Sequence, residues 1–214
     1  MSTATIEGLI GPSYGADNTT QQIRMGRDAP LITGDLHGRY YENASRGQTF
    51  TAATASAGIA HGSALTATPA FAILNPAGSG RNISILKTFW GYVSGTLGSG
   101  SLWYTQGANP GSLPAETAAA FRSATLLSGA KAAAGDVALA YSGISLTNTP
   151  VLVRPSAFTL SAYAGAANII VPLVEEIAGE IIVQPGAFFA IEGIGTAGTT
   201  PLIVIGCTYE IVVP

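Results

Sequence analysis

Charge is what this chain has least of. Of its 214 residues nine are basic and twelve acidic, so charged side chains make up 10% of the sequence, against about 25% in an ordinary soluble domain. A solitary monomer with so few charges is poorly protected against association. Two readings fit: a surface rich in Ser, Thr, Asn and Gly, or a surface covered by other subunits. The depletion of charge at interface cores favours the second.

Other absences narrow the field. No basic run is present, and nucleic-acid binding needs clustered Lys and Arg to displace counterions. Cys207 is the sole cysteine, which excludes an intrachain disulfide and suits a reducing compartment. No stretch nears the roughly 18 apolar residues of a membrane-spanning helix. Residues 1–7, MSTATIE, lack the charged-then-apolar layout of a signal peptide.

The few charges are unevenly placed. Seven of the twenty-one fall between Arg24 and Phe50: Arg24, Arg27, Asp28, Asp35, Arg39, Glu42 and Arg46. Residues 1–47 are punctuated by Gly8, Gly11-Pro12, Gly15, Gly26, Pro30, Gly34 and Gly38, too often for a long helix or strand. They are predicted to form an extended arm, with one short strand at Leu31-Ile32-Thr33. Residues 48–214 are predicted to form the body.

In the body the apolar period is two. Strands are predicted at Thr49–Ser56, Ala70–Leu74, Arg81–Val93, Ser101–Gln106, Phe121–Leu127, Val137–Tyr141, Ala157–Tyr163, Glu180–Gln184, Ala187–Glu192 and Pro201–Val213. Ile83, Ile85, Phe89 and Val93 share a face in the third, where Lys87 and Trp90 break the alternation. In the last, Ile203, Ile205, Cys207, Tyr209, Ile211 and Val213 form an unbroken apolar face, and its length suggests a central position. Gln184-Pro185-Gly186-Ala187 reads as a tight turn, and Pro114–Phe121 as the one short helix. Helical spacing is nowhere sustained. The expectation is an all-β, jelly-roll-like two-sheet β-sandwich with an extended N-terminal arm.

Four groupings bear on chemistry. Gly34-Asp35-Leu36-His37-Gly38 resembles the first motif of calcineurin-like metallophosphoesterases, but a two-metal site needs more ligands. His61 is the only other histidine, and neither an Asn-His pair nor a second Gly-Asp-x-x-Asp follows. That family's α/β fold also conflicts with the strand pattern, so no enzyme, metal or cofactor is expected. Glu175, Glu176 and Glu180 form the acidic cluster, expected as a solvated turn or, less favoured, a cation site at a subunit contact. Trp90, Tyr92, Trp103 and Tyr104 lie on two strands expected to pair, as cross-strand pairs in a core or subunit interface or, less favoured, as a sugar-stacking platform. Cys207 is expected to be a buried, inert thiol.

The segment Leu36-His37-Gly38-Arg39-Tyr40-Tyr41-Glu42, with Arg46-Gly47 and Phe50 after it, resembles a group of tailed-bacteriophage virion proteins that carry an LHGRYYE…RG…F segment ahead of a β-rich body. Ala72–Gly78 (AILNPAG) and Val183-Gln184-Pro185-Gly186 fit the same likeness. The resemblance implies a capsid decoration, or cement, protein: a non-enzymatic trimer of jelly-roll subunits on the capsid surface of the virion, made in the host bacterial cytoplasm. Its implied partner is the major capsid protein, and neither nucleic acid nor membrane is expected to bind it. Arg24, Arg27, Asp28, Arg39, Tyr40, Tyr41, Glu42 and Arg46 have the Arg/Tyr composition of interface hot spots and are the expected contact residues. Pairing of these arginines with Asp28, Asp35 and Glu42 on the subunit's own surface is the competing expectation. The alternative role is a receptor- or glycan-binding jelly roll on a phage tail or head fibre.

Overall fold

The computed structural model describes residues 38–109, 124–125, 136–159, 163–164, 173–195 and 198–212. The chain divides into two compact units, Met1–Tyr41 and Glu42–Pro214. Among the described residues the regular structure of the second unit is almost wholly strand. One helical turn, α1 (Tyr41–Ser45), precedes eleven strands: β1 (Thr49–Ala53), β2 (Phe71–Leu74), β3 (Asn82–Leu97), β4 (Gly100–Ala108), β5 (Ala124–Thr125), β6 (Leu139–Tyr141), β7 (Val151–Thr159), β8 (Tyr163–Ala164), β9 (Leu173–Val183), β10 (Ala187–Gly195) and β11 (Gly198–Val212). The expected strand Leu31-Ile32-Thr33 and helix Pro114–Phe121 lie outside the described residues.

The pairing follows a simple rule. Among eight principal strands the first pairs with the last, β1 with β11. Likewise β2 pairs with β10, β3 with β9 and β4 with β7, all antiparallel. Successive pairs alternate between two sheets. Contacts of β11 with β3 and of β10 with β4 then knit each sheet together. Sheet 1 runs β1-β11-β3-β9, with two-residue strands β5 beside β1 and β8 beside β3. Sheet 2 runs β6-β2-β10-β4-β7. An antiparallel ribbon wrapped in this way is a jelly roll, whose two sheets bury their apolar faces against each other.

The core is what the period-two pattern requires. Phe50, Ile83, Ile85, Ile203, Ile205, Cys207, Tyr209 and Ile211 from sheet 1 meet Phe71, Ile73, Tyr104, Phe189 and Ile191 from sheet 2. The ring of Phe50 stacks on Tyr209 at 5.7 Å between centroids. A second, smaller core lies on the other face of sheet 2, where Ala72, Leu74, Phe188 and Ala190 are covered by Tyr141, Ile144 and Leu146. That cover explains why β2 and β10 read as continuous apolar runs instead of alternating.

The broken alternation in β3 has a local cause. Ile85 and Lys87 pair with consecutive β11 residues, Tyr209 and Thr208, so Leu86 is an extra residue. A one-residue bulge reverses the facing of everything beyond it. Thr88 and Trp90 therefore point into the core and are buried. This corrects the expected single face of Ile83, Ile85, Phe89 and Val93: Phe89 is half-buried and Val93 exposed. Lys87 and Trp90, the two misfits in the sequence, mark the bulge.

Turns and ties close the roll. Ala187 N–H donates to Gln184 C=O at 3.0 Å, and Gly186 at φ 79° takes the left-handed position that a type II turn requires. Buried Asn75, just after β2, donates through Nδ2 to the carbonyls of Arg81 and Val183, both at 2.8 Å. One side chain thus joins three strand ends.

Candidate interaction sites and buried polar groups

Of the eight contact residues named from the sequence, Arg24, Arg27 and Asp28 lie outside the described residues. Arg39 stacks over the ring of Tyr40, its guanidinium carbon 5.6 Å from the centroid. Tyr41 is 51% exposed. Glu42 lies within α1, and Arg46 is exposed just beyond it. The last turn before β1 is therefore helical, not extended. It ends in a Schellman motif: Gln48 N–H donates to Asn43 C=O at 2.9 Å and Gly47 N–H to Ala44 C=O at 3.0 Å. Gly47 has φ 68°, a conformation open to glycine at little cost. Asn43 Nδ2 donates to the Glu210 carboxylate of β11, which fixes the turn to sheet 1.

The acidic cluster lies within β9, where Glu176 and Glu180 are exposed and Glu175 is half-buried. Arg154 of β7 reaches across the open side of the roll to two carboxylates of β9, Glu175 at 2.8 Å and Glu180 at 3.4 Å. Glu175 also accepts from the Tyr104 hydroxyl at 2.6 Å, and Tyr104 bonds Thr88 inside the core. The Arg154 guanidinium lies over the Tyr104 ring at 5.4 Å. Burial, helped by the Glu175 carboxylate, pushes the Tyr104 phenol well above its ordinary range. It stays a donor at any physiological pH. Between Glu175 and Glu180 the strand makes an excursion in which Ala178 and Gly179 have φ 56° and 87°. Lys87 pairs in register with Glu176 while Ile85 pairs with Ile181, so the excursion occupies the residues between.

The aromatic platform is not assembled. β3 and β4 lie in different sheets instead of pairing. Trp90 and Tyr104 are core residues. Tyr92 OH bonds the Gly95 carbonyl, and Trp103 Nε1 donates to Ser101 Oγ at 2.6 Å. Nothing in the alternation of 90–104 distinguishes a hairpin within one sheet from a hairpin that crosses between two.

A buried carboxylate went unnoticed in the sequence. Glu192 of β10 is 2% exposed. It accepts from Thr66 N–H at 2.9 Å and Thr105 Oγ1 at 3.3 Å, pinning the β1–β2 connection onto sheet 2. Burial raises its pKa. Nearby, Gly193 N–H donates to His61 C=O at 2.7 Å, and burial lowers the His61 pKa. The only hint in the sequence was the acidic residue closing an apolar run, FFAIE. Cys207 is fully buried, its thiol pushed up by burial and by the Asp136 carboxylate, as expected for an inert thiol.

Among the described residues no three His, Cys, Asp or Glu side chains are grouped to hold a metal ion. Asp35 and His37 lie outside those residues. No family model matches the chain, and neither a curated protein nor a solved structure matches it.

Proposed function

We propose that this chain is a non-enzymatic virion structural protein, a capsid decoration protein that binds the head shell of a tailed phage and stabilises it through contacts between subunits. The observation that carries the reading is the strand order: the resemblance in residues 36–50 implies a jelly-roll subunit, and the first-with-last pairing is that fold. Jelly rolls host many functions, so the charge-poor surface and the Arg/Tyr segment supply the rest. Repeated copies on a symmetric shell gain avidity from individually small contacts. The proposed partner is the major capsid protein, and the oligomer a trimer as the resemblance implies. Arg39, Tyr40, Tyr41 and Arg46 supply the contact chemistry, a stacked guanidinium and an exposed phenol among them.

The test is binding to purified heads that lack this protein. The full chain is expected to co-sediment with them. A truncation lacking residues 1–41, which leaves the unit Glu42–Pro214 whole, is expected to remain folded by circular dichroism and lose binding at least tenfold. Undiminished binding by the truncation removes the N-terminal segment from the interface. Failure of the full chain to bind removes the proposed role itself.

A further inference from the structure

Among the described residues the jelly roll is open along one side, where β7 ends sheet 2 and β9 flanks β3 in sheet 1. Among the described residues β7 pairs only with β4, and β9 only with β3. The outer strand begins Val151-Leu152-Val153, and all three side chains are exposed, by 64%, 41% and 39%. Successive side chains of a strand point to opposite faces, so this strand end is bare on both. On β9, Val174 and Ile182 are exposed by 61% and 55%, but they pair with Phe89 and Ser84 and so lie on the outer face of sheet 1. Between the strands lies an open cleft of about 490 Å³, lined by Val151, Ile182, Phe188 and Phe189 among others. Arg154, Glu175 and Glu180 on this side are already ion-paired with one another, through both terminal nitrogens of the guanidinium.

We propose that this side is the face through which two copies of the chain associate, with β7 of one copy pairing antiparallel to β7 of the other. A free strand edge carries a row of unpaired backbone donors and acceptors whose natural complement is another strand. The residues of β7 complement themselves. A two-fold axis at Leu152 sets Val151 opposite Val153, Leu152 opposite Leu152 and Arg154 opposite Pro150, so no like charges meet. Pro150 and Pro155 bound the pairing, because proline cannot donate to a ladder. Val151, Leu152 and Val153 make a small apolar contact, below the ~800 Å² per partner of a standard interface, so the paired backbone edges carry most of the association. With the local charges already paired, a polyelectrolyte or charged membrane finds little to hold here, whereas a second copy finds its match. A two-fold contact makes a dimer, or joins one closed ring of subunits to another, and the proposal is independent of the proposed role.

The test uses the full chain. Sedimentation equilibrium is expected to give an even multiple of the 21.6 kDa subunit mass. Leu152→Lys sets two like charges face to face and is expected to halve that mass, with an unchanged circular dichroism spectrum. Leu152→Cys places two thiols directly opposite each other, with Cβ atoms about 4.5–5.5 Å apart, and is expected to form a covalent dimer on mild oxidation. The buried Cys207 stays silent. Val93→Cys, exposed to a similar degree on β3, is the control for random collision. A wild-type chain that stays monomeric, or stops at a trimer, at all concentrations overturns the proposal. So does a Leu152→Cys chain that links no faster than Val93→Cys or whose thiol is covered by its own chain.

Discussion

At the scale of single residues, polar groups at chosen points fasten apolar strands together. Glu192 is the clearest case, because its partners hold it where its charge is unwelcome. Burial raises its folded-state pKa above the ordinary glutamate value. As pH rises through that value the unfolded chain gives up its proton first, so stability falls until the folded state ionises too. Below that range both states are protonated and nothing is lost. In Glu192→Gln, the amide oxygen can still accept from Thr66 N–H and the amide nitrogen can donate to Thr105. The variant is expected to be more stable than the wild type at pH 7, by roughly 1 kcal/mol, a typical scale for buried polar exchanges. The gap is expected to close by pH 4, as urea midpoints at the two pH values would show. His61 runs the other way, its lowered pKa favouring the fold as pH rises. The difference between the two chains cancels it. A variant less stable at pH 7 would mean that Glu192 is held as a favourable ion.

At the scale of elements, the sequence was most legible where one face is buried and the other wet. β11 is the model case: Ile203, Ile205, Cys207, Tyr209 and Ile211 are all buried, as alternation demands, and the strand lies between β1 and β3. Legibility failed at the open side. β7 starts six residues before the strand expected at Ala157, because Pro155 and Arg154 argue against a strand interior. Both are tolerated at an edge. β9 starts at Leu173, not Glu180, since Glu175 and Glu176 look like a turn until Arg154 and Tyr104 take up the first charge. Pairing partners were invisible too, because period-two patterning says which face is buried but not which sheet a strand joins. The Arg154 clip makes a prediction at this scale. Its contact with Glu175 is partly shielded, whereas that with Glu180 is mostly solvated and worth little. Arg154→Ala is expected to cost about 1–2 kcal/mol, chiefly by leaving Glu175 unpaired against the core. Amides of β9 are expected to lose hydrogen-exchange protection before those of β11. Uniform loss of protection across both sheets would show that Arg154 does not act as a local clip.

At the scale of the molecule, pairing first with last makes the fold an all-or-none matter. Phe50 meets Tyr209 across 159 positions of sequence, and sheet 1 is not complete until β11 has been placed between β1 and β3. Long-range pairing of this kind folds slowly and leaves few partly folded states of use. Cys207 provides a single probe of the whole roll, being fully buried at the centre of sheet 1. Its thiol can react only when β11 leaves both neighbours, which dismantles the core. Labelling by an aromatic disulfide is therefore expected to be slow under native conditions. Its rate should rise with urea along the slope of global unfolding, because the opening that exposes the thiol exposes the same surface. An urea-independent rate would reveal a local opening of β11, and the roll would then be two cooperative halves instead of one. Agreement of the two slopes would establish that the Cys207 thiol is exposed only when the whole roll unfolds, so that β11 and both its neighbours belong to one cooperative unit.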